Sequence, residues 1–154
     1  MRFIILLLIS LGTVNAKLSV PNIFGDNMVI QRDSPIHVWG EASPEKNVRV
    51  ILGNRDLTVK SDINGKWSLN LDALQGSNQS KSMSISSEGE TIEFDNIMIG
   101  DVWILGGQSN IEDALESIYH GDTEVISANF PSIRLITIPQ KAENEPQENI
   151  EQIN

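Results

Sequence analysis

From Lys17 to about Asn96 apolar and polar residues alternate in short runs, and at Ile97 the alternation stops. Alternation at period two belongs to strands with one buried face. Such runs, recurring about every ten residues with turn residues between them, mark an antiparallel sandwich or barrel. Val48, Val50 and Leu52 alternate with Arg49 and Ile51, and Gly53-Asn54 breaks the run before Leu57 and Val59 resume it, which is a hairpin pattern. Asn64-Gly65 is a second hairpin signal, followed by Trp67, Leu69 and Leu71 on one face and Lys66, Ser68 and Asn70 on the other. With Ile36 to Trp39, Met83 with Ile85, and Ile92 with Phe94, the region is expected to hold about six or seven short strands.

Beyond that point Ile97 to Leu105 is almost continuously apolar, interrupted only by Gly100-Asp101, which predicts a strand covered on both faces. It runs into the turn Gly106-Gly107-Gln108-Ser109-Asn110. Ile111 to Ile118 then predicts a helix with acids in its first turn, Glu124 to Ala128 continues the helical tendency, and Ile133 to Ile138 predicts a second strand ended by Pro139. Strand, turn, helix and strand make one βαβ unit, with ligands expected at the carboxyl ends of the strands. The predicted fold is therefore mixed: an antiparallel β-sandwich over 17–96, then the first βαβ unit of an α/β domain over 97–154. One such unit is short of the about five parallel strands on which a doubly wound sheet closes.

Residues 1–16 are expected to be a signal peptide. Arg2 supplies a charge, Phe3 to Ile9 is apolar, and Val14-Asn15-Ala16 offers a cleavage site after Ala16. The apolar stretch ends at Gly12-Thr13, too short to span a bilayer, so no membrane span is expected once the signal is removed. Export to a periplasmic, extracellular or lysosome-like compartment follows. The net charge of −10 argues against nucleic acid and anionic membranes as partners. The absence of cysteine excludes disulfides, thiolate metal sites and a cysteine nucleophile. His37 and His120 have no clustered metal-ligand partners in the sequence, so no metal and no cofactor is expected. The sequence carries no signal of oligomeric state.

Ser109 stands at the expected carboxyl end of a strand and just before a helix. There, backbone N–H groups and the helix dipole stabilise developing negative charge. Spacing alone leaves two readings open, a nucleophile or an ordinary N-cap serine. The turn lacks the G-x-S-x-G pattern of the α/β-hydrolase elbow, because Gln108 and Asn110 flank the serine and Ile111 follows. Trp39 and Trp67 are candidate sugar-stacking platforms, but both occupy period-two positions beside aliphatic residues, which is the pattern of core aromatics.

Gly107-Gln108-Ser109-Asn110, after a strand containing Ile99-Gly100-Asp101-Val102-Trp103, resembles the first block of the SGNH (GDSL-like) hydrolases in the form seen in sialate O-acetylesterases and related bacterial carbohydrate esterases. Pro21 to Arg32, Val38-Trp39-Gly40 and Asn64-Gly65-Lys66-Trp67 resemble the β-sandwich preceding the catalytic domain in that family. Phe130-Pro131-Ser132-Ile133-Arg134-Leu135 is similar to its second catalytic-domain strand. The resemblance implies that Ser109 is the nucleophile with its backbone N–H an oxyanion donor, that Gly107, Gln108 and Asn110 shape the turn, and that the substrate is an O-acetylated carbohydrate. Ile111-Glu112 replaces the family's usual Met-Glu, and Asp113 stands where an apolar residue is common.

The family's later glycine and asparagine oxyanion donors, and its Asp-x-x-His pair, have no counterpart in these residues. His37 belongs to the β-region, and His120 lies about 16 Å from Ser109 along an ideal helix. A serine without a base is nearly inert at neutral pH, so the residues present are expected not to make a competent esterase. The acidic stretch from Lys141 onward is expected to be a solvated loop. The alternative is a non-catalytic module whose β-sandwich binds carbohydrate or a partner.

Overall fold

The computed structural model describes residues 17–107, 113–138, 142, 144–147, 149 and 150. The expected leader 1–16 lies outside them. Seven strands occur in chain order: β1 Val29–Gln31, β2 Ile36–Glu41, β3 Asn47–Leu52, β4 Arg55–Lys60, β5 Lys66–Leu71, β6 Ser77–Ser87 and β7 Glu90–Gly100. They form a five-stranded sheet, β1-β7-β6-β3-β4, and a two-stranded sheet, β2-β5.

Alternate residues of the two sheets meet in one core. Val48, Val50 and Leu52 of β3, Met83 and Ile85 of β6, and Ile97 and Ile99 of β7 join Ile36 and Val38 of β2 and Trp67, Leu69 and Leu71 of β5. Each such side chain stabilises the fold by about 1.5–3 kcal/mol relative to exposure. Two-residue loops set the register of the long hairpins. Gly53-Asn54 joins β3 to β4 with Gly53 at φ +58°, and Glu88-Gly89 joins β6 to β7 with both residues left-handed, as a tight primed turn requires.

Four sequence expectations are corrected. Asn64-Gly65 turns the chain but does not join paired strands: β5 pairs with β2, not β4. Trp67, Leu69 and Leu71 are thereby turned into the shared core. Second, the large sheet is not purely antiparallel, because β1 runs parallel to β7 with Val29 opposite Met98. Third, no separate strand begins at Ile97. β7 runs from Glu90 through Gly100, pairs with β6 on one side and β1 on the other, and buries Ile97 and Ile99 in the core. Half-buried Met98 masks the alternation in the sequence.

The fourth correction concerns the βαβ unit. Ala114 and Ile118 are extended on either side of a single 3-10 turn at Leu115–Ser117, and the helix, α1, is Gly121–Ser127. The chain reverses at His120, which is left-handed at φ +61°, and Gly121 packs where a Cβ would lie 1.7 Å from the Leu115 carbonyl oxygen. Ile133 to Ile138 is irregular and largely exposed, and has no neighbouring strand among the described residues to take its backbone hydrogen bonds.

Candidate functional site

The path to the serine turn starts where β7 ends. Arg32 Nε donates to Asp101 Oδ1 at 2.9 Å, Val102 N donates to Gln31 Oε1 at 2.9 Å, and Arg32 N donates to the Gly100 carbonyl at 2.9 Å. The last residue of β1 and the one after it thus hold the chain as it leaves the sheet. Trp103, Ile104 and Leu105 then run exposed and without regular secondary structure to Gly106 and Gly107. Gln108, Ser109 and Asn110 lie outside the described residues; of the predicted turn, Gly107 is described, and it is exposed.

A second feature lies on the small sheet. His37 and Trp39 project from the outer face of β2, because Ile36 and Val38 take the inward positions. Their rings stack with centroids 5.1 Å apart and 22° between planes, and Phe24 meets Trp39 edge-on at 4.9 Å. His37 Nδ1 lies 2.9 Å from Asn70 Oδ1, directly across the strand pair. Trp39 is therefore an outward-facing aromatic rather than a core one, whereas Trp67 is 4% exposed and belongs to the core.

His37, Trp39 and Trp67 border a cleft of about 830 Å³ that also involves Glu41, Asp62, Lys66, Gln147 and Asn149. Asn22 holds the last of these in place: its backbone N donates to Asn149 Oδ1 and its Nδ2 to the Ile150 carbonyl, both at 2.8 Å. The walls offer hydrogen-bonding groups beside aromatic rings. That composition suits binding of a polar ring compound.

Four described groups titrate away from their ordinary values, and ion pairs account for all of them. The hydrogen bond from Arg49 lowers Asp56, and that from Lys46 lowers Glu88, while Arg32 and Arg49 are raised by Asp101 and Asp56. None of the four borders the cleft. No group of three His, Asp or Glu residues converges to hold a metal among the described residues, and no described helix is long and apolar enough to cross a membrane.

One residue was passed over at the sequence level. Arg134 reads as one cation inside an apolar run, yet its guanidinium bonds the backbone of β7 and the residue before β1. The flanking Ile133 and Leu135 are exposed and give no sign of it, and the acceptors are distant in sequence.

Comparison with known proteins bears on the family. No family model matches the chain. The mouse sialate O-acetylesterase (Mus musculus) is 25% identical over 122 residues, and the human enzyme (Homo sapiens) is 24% identical over 132 residues. A crystal structure of a carbohydrate acetylesterase from Xanthomonas citri superposes with a TM-score of 0.84 over 89% of this chain, at 29% identity. The chain is sialate O-acetylesterase-like. It spans 23% of the length of the mouse relative, 25% of the human one and 32% of the Xanthomonas chain.

Proposed function

We propose that these residues belong to an exported serine esterase that removes O-acetyl groups from carbohydrates. The observation carrying this reading is the likeness to a carbohydrate acetylesterase over 89% of the chain at 29% identity. In this reading residues 17–100 are a β-sandwich domain, and the segment after Gly100 opens an α/β domain whose first catalytic turn is Gly107-Gln108-Ser109-Asn110. Ser109 Oγ attacks the acetyl carbonyl carbon and its proton passes to a general base. The sugar alcohol leaves with a proton returned to it, and water then hydrolyses the acetyl-serine to acetate. The Ser109 N–H stabilises the oxyanion, while Gly107, Gln108 and Asn110 shape the turn.

These 154 residues contain two histidines, His37 and His120. His37 is bonded to Asn70 on the small sheet, and His120 stands at the start of α1. Neither is the base in this reading, so the residues present supply the nucleophile but do not turn over by themselves. The experiment is to read the coding sequence past Asn154 and assay its complete product on aryl acetate. An in-frame Asp-x-x-His block, with hydrolysis lost in Ser109→Ala, supports the enzyme; equal hydrolysis by Ser109→Ala refutes it.

The cleft beside Trp39 favours a second reading, in which the β-region binds carbohydrate without chemistry. Glycan-array binding lost in Trp39→Ala, with the fold retained, supports it; absence of binding across the array removes it.

A further inference from the structure

We propose that Arg134 is a positioning residue: its guanidinium closes over a bulge in β7 and fixes the far end of the segment carrying Ser109 to the sheet edge that also fixes its near end. Arg134 Nη1 donates to the Met28 carbonyl at 3.2 Å and to the Asn96 carbonyl, and Nη2 donates to Asn96 Oδ1 at 3.0 Å.

The acceptors are preset. Between Phe94 and Ile97 β7 has one residue more than β6 has between Met83 and Lys81, and Asn96 in this bulge is left-handed at φ +57°. Asn96 Nδ2 donates to Asn27 Oδ1 at 2.8 Å, and Asn27 N donates to the Asp95 carbonyl at 3.0 Å. Asp95 is held in turn by Asp26 and Ser82, at 2.7 and 2.6 Å. Side chains from the turn before β1 and from β6 therefore hold residues 95 and 96, and with them the Asn96 acceptors, before any guanidinium arrives.

Burial points the same way. Among residues 122–138 every side chain is exposed except that of Arg134, while Ile133 and Leu135 beside it are 62% and 88% exposed. Apolar packing therefore does not hold this stretch to the sheet; a charged fork does. The near anchor, Arg32 to Asp101 and Gln31 to Val102, sits at one end of β1, and the Met28 carbonyl sits at the other. At about 3.3 Å per strand residue the two anchors are about 10 Å apart, so residues 103–133 leave and return at neighbouring points of one edge. The catalytic consequence rests on the proposal that Ser109 is the nucleophile; the clasp does not.

The test is backbone order parameters for residues 132–136 in the whole chain, compared with Arg134→Ala and Arg134→Lys. We expect about 0.85 in the unmodified protein and below about 0.6 in Arg134→Ala, with Val50 and Ile85 unchanged. Arg134→Lys does not restore order, because an ammonium group lacks the planar fork that reaches both Asn96 acceptors; millimolar guanidinium added to Arg134→Ala does. Equal order parameters in the unmodified protein and Arg134→Ala overturn the clasp. In the complete coding product, Arg134→Ala is expected to lower kcat on aryl acetate about tenfold with KM within about twofold, and an unchanged kcat overturns the positioning role. Hydrolysis unaffected by Ser109→Ala strikes the esterase reading instead, and the order parameters still decide the clasp.

Discussion

Gly40 lies directly opposite Trp67 in the β2-β5 pair, and a Cβ at position 40 would sit 2.9 Å from Trp67 Cζ2 and 2.1 Å from the Ser19 carbonyl oxygen. The indole thus lies over the one residue of β2 that has no side chain, and Ser19 closes on the same strand through reciprocal bonds with Glu41. Gly40→Ala forces either the ring or the Ser19 backbone to move. The expected cost is about 2 kcal/mol or more, read as a lowered urea midpoint with an unchanged slope.

Leu52 is fully buried where β3 meets the small sheet's apolar face. Leu52→Ala removes its contacts and leaves a cavity, with an expected loss of about 3 kcal/mol in equilibrium unfolding. A loss below about 1 kcal/mol would mean that the core collapses around the gap.

Asp62 Oδ1 accepts from the backbone N–H of Asn64 and of Lys66, both at 2.8 Å, and so shapes the turn that carries the chain between the two sheets. Asp62→Ala leaves both donors to solvent, at an expected cost of about 1–2 kcal/mol, and Asp62→Asn recovers most of it because its amide oxygen still accepts. The comparison of the two variants by thermal unfolding checks this.

Asp56 and Glu88 titrate below the ordinary carboxylate range because Arg49 and Lys46 bond their charged forms. A carboxylate whose titration is depressed on folding adds stability that is present at neutral pH. It is lost as pH falls through the ordinary carboxylate range toward the depressed value. The melting-temperature difference between the unmodified protein and Asp56→Asn/Glu88→Gln should therefore be present at neutral pH and vanish in acid. It should be small throughout, since both pairs face solvent.

Much of the sheet region was legible because its signals are local. Val48, Val50 and Leu52 show their buried face by alternation, and Gly53-Asn54 marks its loop by residue type. Asn64-Gly65 was legible as a turn but not as to which strands it serves, because that depends on β2, more than twenty residues upstream. Ile97 and Ile99 lost their alternation to half-buried Met98, whose backbone N–H is bonded by the Met28 carbonyl. Ser109 was legible only as a motif. The role of Arg134 was not, since its acceptors lie 38 and 106 residues away in sequence and are assembled only by the fold.

The parallel pairing of Val29 with Met98 also bears on the order in which the molecule assembles. A chain made from its N-terminus presents β1 long before its partner, and loop closure over so many residues is slow compared with forming the β3-β4 or β6-β7 hairpin. Until β7 arrives β1 has no neighbour in the sheet, and β6 is left as its open edge. A nascent chain arrested just before β7 should keep that edge open to proteolysis and self-association, and release of the next segment should close both routes at once.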